Sequence, residues 1–161
     1  MCKRLAAFFV FICLVLSLFS CGGEDFSYCE ITIPLTEDFK SIETDEFDAA
    51  YSDGTLSVAI IRLSFVAAVN DGISDTMSSS QFAAFWLKKC ERECEVTLVG
   101  GVDTARYTDV VSEEAYTTVS AFYRSKYAYL VVLFTVHSSA FDSYRDSVYE
   151  YISGAYFTDP V

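Results

Sequence analysis

The chain is poor in the residue types on which most active sites are built. His137 is the one histidine among 161 residues, with two prolines and seven glycines. A zinc centre needs three or four Cys or His ligands at defined spacing, which Cys90, Cys94 and His137 do not supply. No Gly-x-Ser-x-Gly elbow frames a nucleophile, so the cluster of His137, Ser138, Ser139 and Asp142 lacks the setting of a catalytic triad, and neighbours on a strand point to opposite sides. Asn70-Asp71-Gly72 and Asp75 put hard oxygens in one loop but lack the spacing and distal Glu of a calcium loop; Asx-turn chemistry accounts for them without a metal. Positive charge is scarce, with 11 Lys and Arg against 23 Asp and Glu and a net charge of −12. A nucleic-acid partner requires a basic face, and past the first residues only Lys88-Lys89 stand together. Repeats and low-complexity tracts are absent. No apolar run reaches the roughly 20 residues of a membrane span.

What is present begins at the N-terminus. Lys3 and Arg4 precede an apolar run from Leu5 to Leu16, followed by Ser17 and then Leu18-Phe19-Ser20-Cys21. A charged start, a short apolar middle and a small residue before the break are the parts of a secretory signal peptide. The last four residues resemble the lipobox of bacterial lipoproteins, with Phe19 bulkier than the small or β-branched residue usual there. That resemblance implies a diacylglycerol thioether on Cys21, which becomes the mature N-terminus. The expected organisation is a signal peptide over 1–20, a lipidated N-terminus and tether over 21–27, and a single α+β domain over 28–161. Loss of residues 1–20, which carry two bases and no acid, takes the net charge from −12 to −14. Anionic lipid repels such a domain within a Debye length of about 8–10 Å, so attachment is expected to come from the lipid, whose two acyl chains meet the requirement for stable anchoring. Gly22 to Asp25 spans only about 13–17 Å when extended. The expected location is a bacterial cell membrane or cell surface, with the domain outside the cytoplasm.

Cys2 and Cys13 leave with the signal and Cys21 takes the lipid, leaving an odd three thiols for an oxidising exterior. Periodicity points all three inward: Cys29 alternates with Ile31 and Ile33, Cys94 with Val96 and Leu98, and Cys90 follows Phe82 and Trp86 on a helical stripe. The expected disulfide joins Cys90 to Cys94, contributing about 2 kcal/mol through so small a loop. A redox role is disfavoured by the Cys-x-x-x-Cys spacing and the surrounding Glu91, Glu93 and Glu95.

The 14 Phe and 11 Tyr provide a large core payload, which argues against disorder. Tyr28 to Ile33 alternates and stops at Pro34 as a first strand; an acidic loop follows over 35–46. Residues 47–52 and 55–65 flank Asp53-Gly54, a hairpin signal for a type I′ turn. The third strand and the strand over 127–137 are apolar on both faces, so the sheet is covered on both sides and the latter lies centrally. Residues 66–77 read as a loop. Ser78 and Gln81 have capping-box spacing ahead of a helix bearing Phe82, Phe85, Trp86 and Cys90. Strands over 94–99, 105–110 and 115–124 form a meander with 127–137. Ser139 to Asp142 reads as a second capping box, with Phe141, Tyr144, Val148, Tyr151 and Ile152 on one face of a closing helix ended by Gly154.

The order β-β-β-α-β-β-β-β-α implies an antiparallel sheet of about six or seven strands with a helix on each face. With Ile31-Thr32-Ile33-Pro34 opening the domain, Tyr51-Ser52-Asp53-Gly54 at the hairpin, residues 129–135 as central strand and the last helix running into Ala155-Tyr156-Phe157, the chain resembles the PsbP and DcrB-like superfamily over residues 28–157. The resemblance implies an α/β/α sandwich and a binding or assembly role, with no shared reaction. No cofactor or metal is expected, and no enzymatic activity. The acidic cluster of Glu43, Asp45, Glu46 and Asp48 reads as solvated charge, since a glycosidase pair needs carboxyls across a cleft.

Tyr107, Tyr116, Tyr123, Tyr127 and Tyr129 fall on three consecutive strands. If Tyr107, Tyr116, Tyr127 and Tyr129 share an exposed face they form a contact surface for a protein partner; if they lie under a helix they are core, which is the favoured alternative. The expected function is a non-catalytic accessory domain for an envelope protein. The alternative is a small-molecule-binding or enzymatic domain of the cystatin-like or NTF2-like kind, with a pocket between helix and sheet near His137.

Overall fold

A computed structural model describes residues 27–28 and 31–157. Their elements, in chain order, are β1 (Ser27–Tyr28), β2 (Ile31–Thr32), β3 (Lys40–Ser41), β4 (Ala49–Ser52), β5 (Ser57–Ser64), α1 (Phe65–Asn70), α2 (Ser79–Lys89), β6 (Val96–Val99), β7 (Val102–Val111), β8 (Glu114–Arg124), β9 (Ala128–His137), a 3₁₀ turn (Ser138–Ala140), α3 (Phe141–Gly154) and β10 (Tyr156–Phe157). Seven strands form one antiparallel sheet in the order β3-β4-β5-β9-β8-β7-β6, and β1, β2 and β10 form a small second sheet. The expected α+β architecture is observed, with β9 at the centre of the large sheet.

Period-two alternation in the central strands sorts the core into two halves. Val58, Ile60, Val119, Ala121, Tyr123, Leu130, Val132, Phe134 and Val136 face α3, which closes over them with Phe141, Val148 and Ile152. The opposite set, Ala59, Phe122, Tyr129, Val131 and Leu133, packs under α1 and α2 through Ala68, Phe82, Ala83 and Leu87. Both faces of β9 are therefore buried, which is why its sequence runs apolar without alternation. Phe82 and Tyr129 stack with centroids 4.3 Å apart and are fully buried. The space between α2 and the sheet is thus filled by aromatic side chains at the Tyr129 end of β9, the end away from His137.

The capping box at α2 is present: the Ser78 hydroxyl accepts from the Gln81 N–H, and the Gln81 side chain accepts from the Ser78 N–H. Several local expectations are corrected. The single strand over 28–33 is instead a hairpin, with Ser27 opposite Thr32 and Tyr28 opposite Ile31. The Asp53-Gly54 turn is a four-residue loop, because Asp53 Oδ1 accepts from the N–H groups of both Thr55 and Leu56 and only Gly54 takes positive φ. The loop expected over 66–77 opens with α1, capped by the Ser64 hydroxyl accepting from the Ala67 N–H. At α3 the second capping box does not form: the N-cap is Ala140, without a side-chain hydrogen bond, because the 3₁₀ turn intervenes. His137 caps that turn, its Nδ1 accepting from the Ser139 N–H at 3.3 Å and lying 2.7 Å from Ser139 Oγ.

Candidate functional site

Cys21 and Cys29 lie outside the described residues. The expected Cys90–Cys94 bridge is not formed. Cys94 is a free thiol, whereas Cys90 is disulfide-bonded. Cys90 is the C-cap of α2 and Glu91 turns left-handed (φ 56°), so the chain leaves the helix and Cys94 packs against the apolar cluster beneath α2. Burial pushes the Cys94 thiol up from its ordinary value, only partly opposed by the positive charge of Arg92. It is held as a thiol at neutral pH, unsuited to nucleophilic chemistry.

The four tyrosines proposed as a contact surface do not form one, and core packing accounts for part of the set. Tyr129 is fully buried and donates its hydroxyl to the carbonyls of Ser74 and Met77. Tyr107 is half-buried and pairs with Ser120 at 3.0 Å. Tyr116 packs edge-on against the His137 ring and donates to Glu114. Tyr127 is exposed on the β8–β9 turn. Tyr107, Tyr116 and Tyr129 share the sheet face that carries α2, but successive rows of the register separate them and the helix covers one end. Tyr123, on the other face, donates to the Ile152 carbonyl; burial raises its pKa strongly.

The sheet does bring together an arrangement that spacing did not reveal. Arg92 meets Asp109 through two parallel hydrogen bonds, Nη1 to Oδ1 and Nη2 to Oδ2, the latter at 2.8 Å. Its guanidinium also lies 4.6 Å from the centroid of the Tyr107 ring, and its backbone N–H donates to the Leu87 carbonyl. Arg92 therefore fastens the segment between α2 and β6 onto β7. Next to Tyr107 the register aligns Ser52, Ser57, Thr135 and Thr118 in one row, joined by Thr118–Thr135 (3.0 Å) and Ser57–Ser52 (3.4 Å) contacts. Tyr116 stands opposite both Asp109 and His137. Asp142 is exposed in the first turn of α3, so His137 and Ser139 read as a cap rather than as two members of a triad.

Fastening this segment creates a cleft of about 660 Å³ along the outer flank of α2, with Ala84, Leu87, Cys94 and Val96 as its apolar lining and Lys88, Glu91, Arg92 and Glu93 as its charged lining. The cleft borders β6, an edge strand paired only with β7 among the described residues. Leu98 on that strand is 69 % exposed. An unblunted apolar edge is a template for another strand. Among the described residues no group of three or more His, Cys, Asp or Glu side chains is placed to hold a metal ion. Asp71, from the loop with calcium-like composition, pairs instead with Lys89 at 3.0 Å. No described helix is long and apolar enough to cross a membrane.

No family model and no curated protein matches the chain. Solved structures do. A protein of Bacteroides thetaiotaomicron aligns over 80 % of this chain at 14 % identity with a TM-score of 0.54; the chain spans only 45 % of that protein's length. LpqN of Mycobacterium tuberculosis, described as involved in cell envelope biogenesis, aligns over 80 % of this chain and 83 % of its own at 11 % identity and a TM-score of 0.48. The cyanobacterial PsbP, CyanoP, of a Synechocystis species aligns over 88 % of this chain and 99 % of its own at 12 % identity and a TM-score of 0.50. At these identities the likeness concerns the fold, and the chain has a PsbP-like fold.

Proposed function

We propose that this chain is a cell-surface lipoprotein, held by diacylglycerol on Cys21, whose PsbP-like domain is a non-catalytic accessory module that binds an envelope protein. The sequence Leu18-Phe19-Ser20-Cys21 after a charged and apolar leader carries the anchoring half of this reading. The unpaired β6 edge carries the binding half: Val96–Val99 offers main-chain hydrogen bonds beside an apolar-lined cleft. That combination suits an extended segment of the partner added as an eighth strand, with one of its side chains in the cleft. The interaction is with protein, since nucleic acid is disfavoured by the charge.

A photo-crosslinking residue in place of Leu98, used in the protein's own membrane, is expected to capture one protein reproducibly. The same residue in place of Arg145, on α3 across the sheet, is expected to capture none. A charge blunts a sheet edge, so Leu98→Lys is expected to lower capture by a second crosslinker at Thr97, the neighbouring exposed position of the same strand, without changing thermal stability. Capture that survives Leu98→Lys, or that arises equally from position 145, contradicts the edge reading.

A further inference from the structure

We propose that the end of the domain formed by α1, the β8–β9 turn and β10 rests in the interfacial layer of a phospholipid bilayer. This inference rests on the lipid-anchor reading for what brings the domain to the membrane, and on the structure for which end arrives. Five of the exposed large apolar side chains belong to this end: Val66 and Val69 on α1, Tyr127 on the turn, and Tyr156 and Phe157 on β10. The topology brings them to one level. The Phe65 N–H donates to the Tyr127 carbonyl, and Phe157 packs on Tyr123, which stands opposite Leu130 two residues into β9. The chain enters at this level as well, because β1 pairs with β2 and β2 with β10.

Reach then selects the orientation. Five residues separate Cys21 from Ser27, six steps and at most about 20 Å of extended chain, whereas the ten residues of β9 span roughly 33 Å. A lipid on Cys21 therefore holds the entry end at the bilayer, and the far hairpin at Ser112-Glu113 stays away from it. The chemistry of the near end suits that position. Residues 65–70, 99–102 and 154–157 contain no charged side chain in a chain that is 21 % charged. The charges that do face it from the β8–β9 connection are basic: Arg124 lies over the Phe65 ring at 5.1 Å and Lys126 over the Tyr127 ring at 5.2 Å. Aromatic rings flanked by long cations settle at the headgroup level, apolar body inward and charge outward. Acidic groups near this end are Asp71 at the C-cap of α1, which pairs with Lys89, Asp103 after the β6–β7 turn, which accepts from Ser79, Asp75, whose carbonyl accepts from Arg124, and the loop carrying Glu43, Asp45, Glu46 and Asp48 ahead of β4. That loop lies beyond β5 at one corner, so headgroup repulsion tilts the contact toward α1 and the β8–β9 turn.

The test places an indole at position 66 by Val66→Trp in the full chain carrying Trp86→Phe, with Val110→Trp in the same background as the control at the far end. Each protein is reconstituted in phosphatidylcholine:phosphatidylglycerol vesicles containing brominated acyl chains. Quenching of at least half the emission at position 66, with less than a tenth at position 110, is expected. Adding Val69→Asp and Lys126→Glu is expected to abolish the quenching at 66 while the protein stays in the vesicle fraction. Equal quenching at both positions, or none at 66 in vesicle-bound protein that carries the lipid, overturns the inference and leaves the anchor standing. Lipid labelling that survives Cys21→Ser, with quenching at 66 retained, overturns the anchor assignment and supports this orientation.

Discussion

Replacing Arg92 by alanine removes a bidentate ion pair to Asp109 and the guanidinium over Tyr107. Hydrogen bonds to charged groups contribute about 1.5–3 kcal/mol, and the cation–π contact about 0.5–1 kcal/mol more. The side chains of Arg92 and Asp109 keep 21 and 16 % of their surface in water, so screening favours the lower half of the range. The expected cost of Arg92→Ala is about 2 kcal/mol, measured by urea unfolding, with a Tm lowered by roughly 6–10 °C. A double-mutant cycle with Asp109→Ala should give a coupling of about 1–2 kcal/mol, above the 0.2–1 kcal/mol typical of exposed pairs. The same substitution unfastens residues 90–95, so alkylation of Cys94 should accelerate roughly tenfold, as 1.4 kcal/mol of easier local opening gives. A coupling under about 0.5 kcal/mol together with unchanged Cys94 labelling refutes the assignment of Arg92 as the fastener of the cleft.

Other outcomes follow from buried groups. In the intact protein Cys94 should alkylate more slowly at pH 8 than a free cysteine, because burial raises its pKa; a rate equal to the free thiol contradicts that burial. Burial likewise raises the pKa of Tyr123 above the unfolded value near 10. Its contribution is therefore fully present below about pH 10 and is lost above it, by up to about 1.4 kcal/mol per pH unit. Urea midpoints between pH 8 and 11.5 should fall less steeply for Tyr123→Phe than for the parent, and equal slopes contradict the reading. Gly100 has φ +57°, and a Cβ there would lie 2.6 Å from Ser153 Cβ on α3. Gly100→Ala should thus lower stability by roughly 1–3 kcal/mol, partly recovered by Ser153→Gly; no loss in a thermal melt shows that α3 yields freely. Phe82→Ala, which empties the stack on Tyr129, should cost about 3–5 kcal/mol in urea unfolding, and a loss under 1 kcal/mol shows that this part of the core is not tightly packed.

The layers of the fold were legible because burial leaves a direct trace in sequence. A run such as Leu130-Val131-Val132-Leu133-Phe134 has no polar side to give to water, so both faces of its sheet must be covered. The α2 start was legible because Ser78 and Gln81 act within one turn. Local competition hid other features. Phe65–Asn70 has too few turns to show a helical period and ends in Asn-Asp-Gly, so it read as a loop. The side chain of Asp53 captured two N–H groups and lengthened its hairpin beyond the two-residue form. The site itself was less legible, for a tertiary reason. Arg92 and Asp109 are 17 residues apart on a loop and a strand, and no periodicity couples them. Cys90 and Cys94 looked like partners by proximity, yet the left-handed turn at Glu91 separates their environments. The tyrosines were visible as residues of consecutive strands, but which of them α2 covers depends on how far the helix reaches along the sheet.

The central claim is that Cys21 carries the anchor that places this PsbP-like domain at a membrane. Intact mass and N-terminal sequencing of the protein recovered from its own cell membrane test it most directly. The mature chain is expected to begin at Cys21 with a diacylglycerol adduct, and a Cys21→Ala variant to accumulate unprocessed and unlabelled by radioactive palmitate. A mature chain beginning at another residue, or an unmodified Cys21 in protein that still fractionates with the membrane, would contradict it.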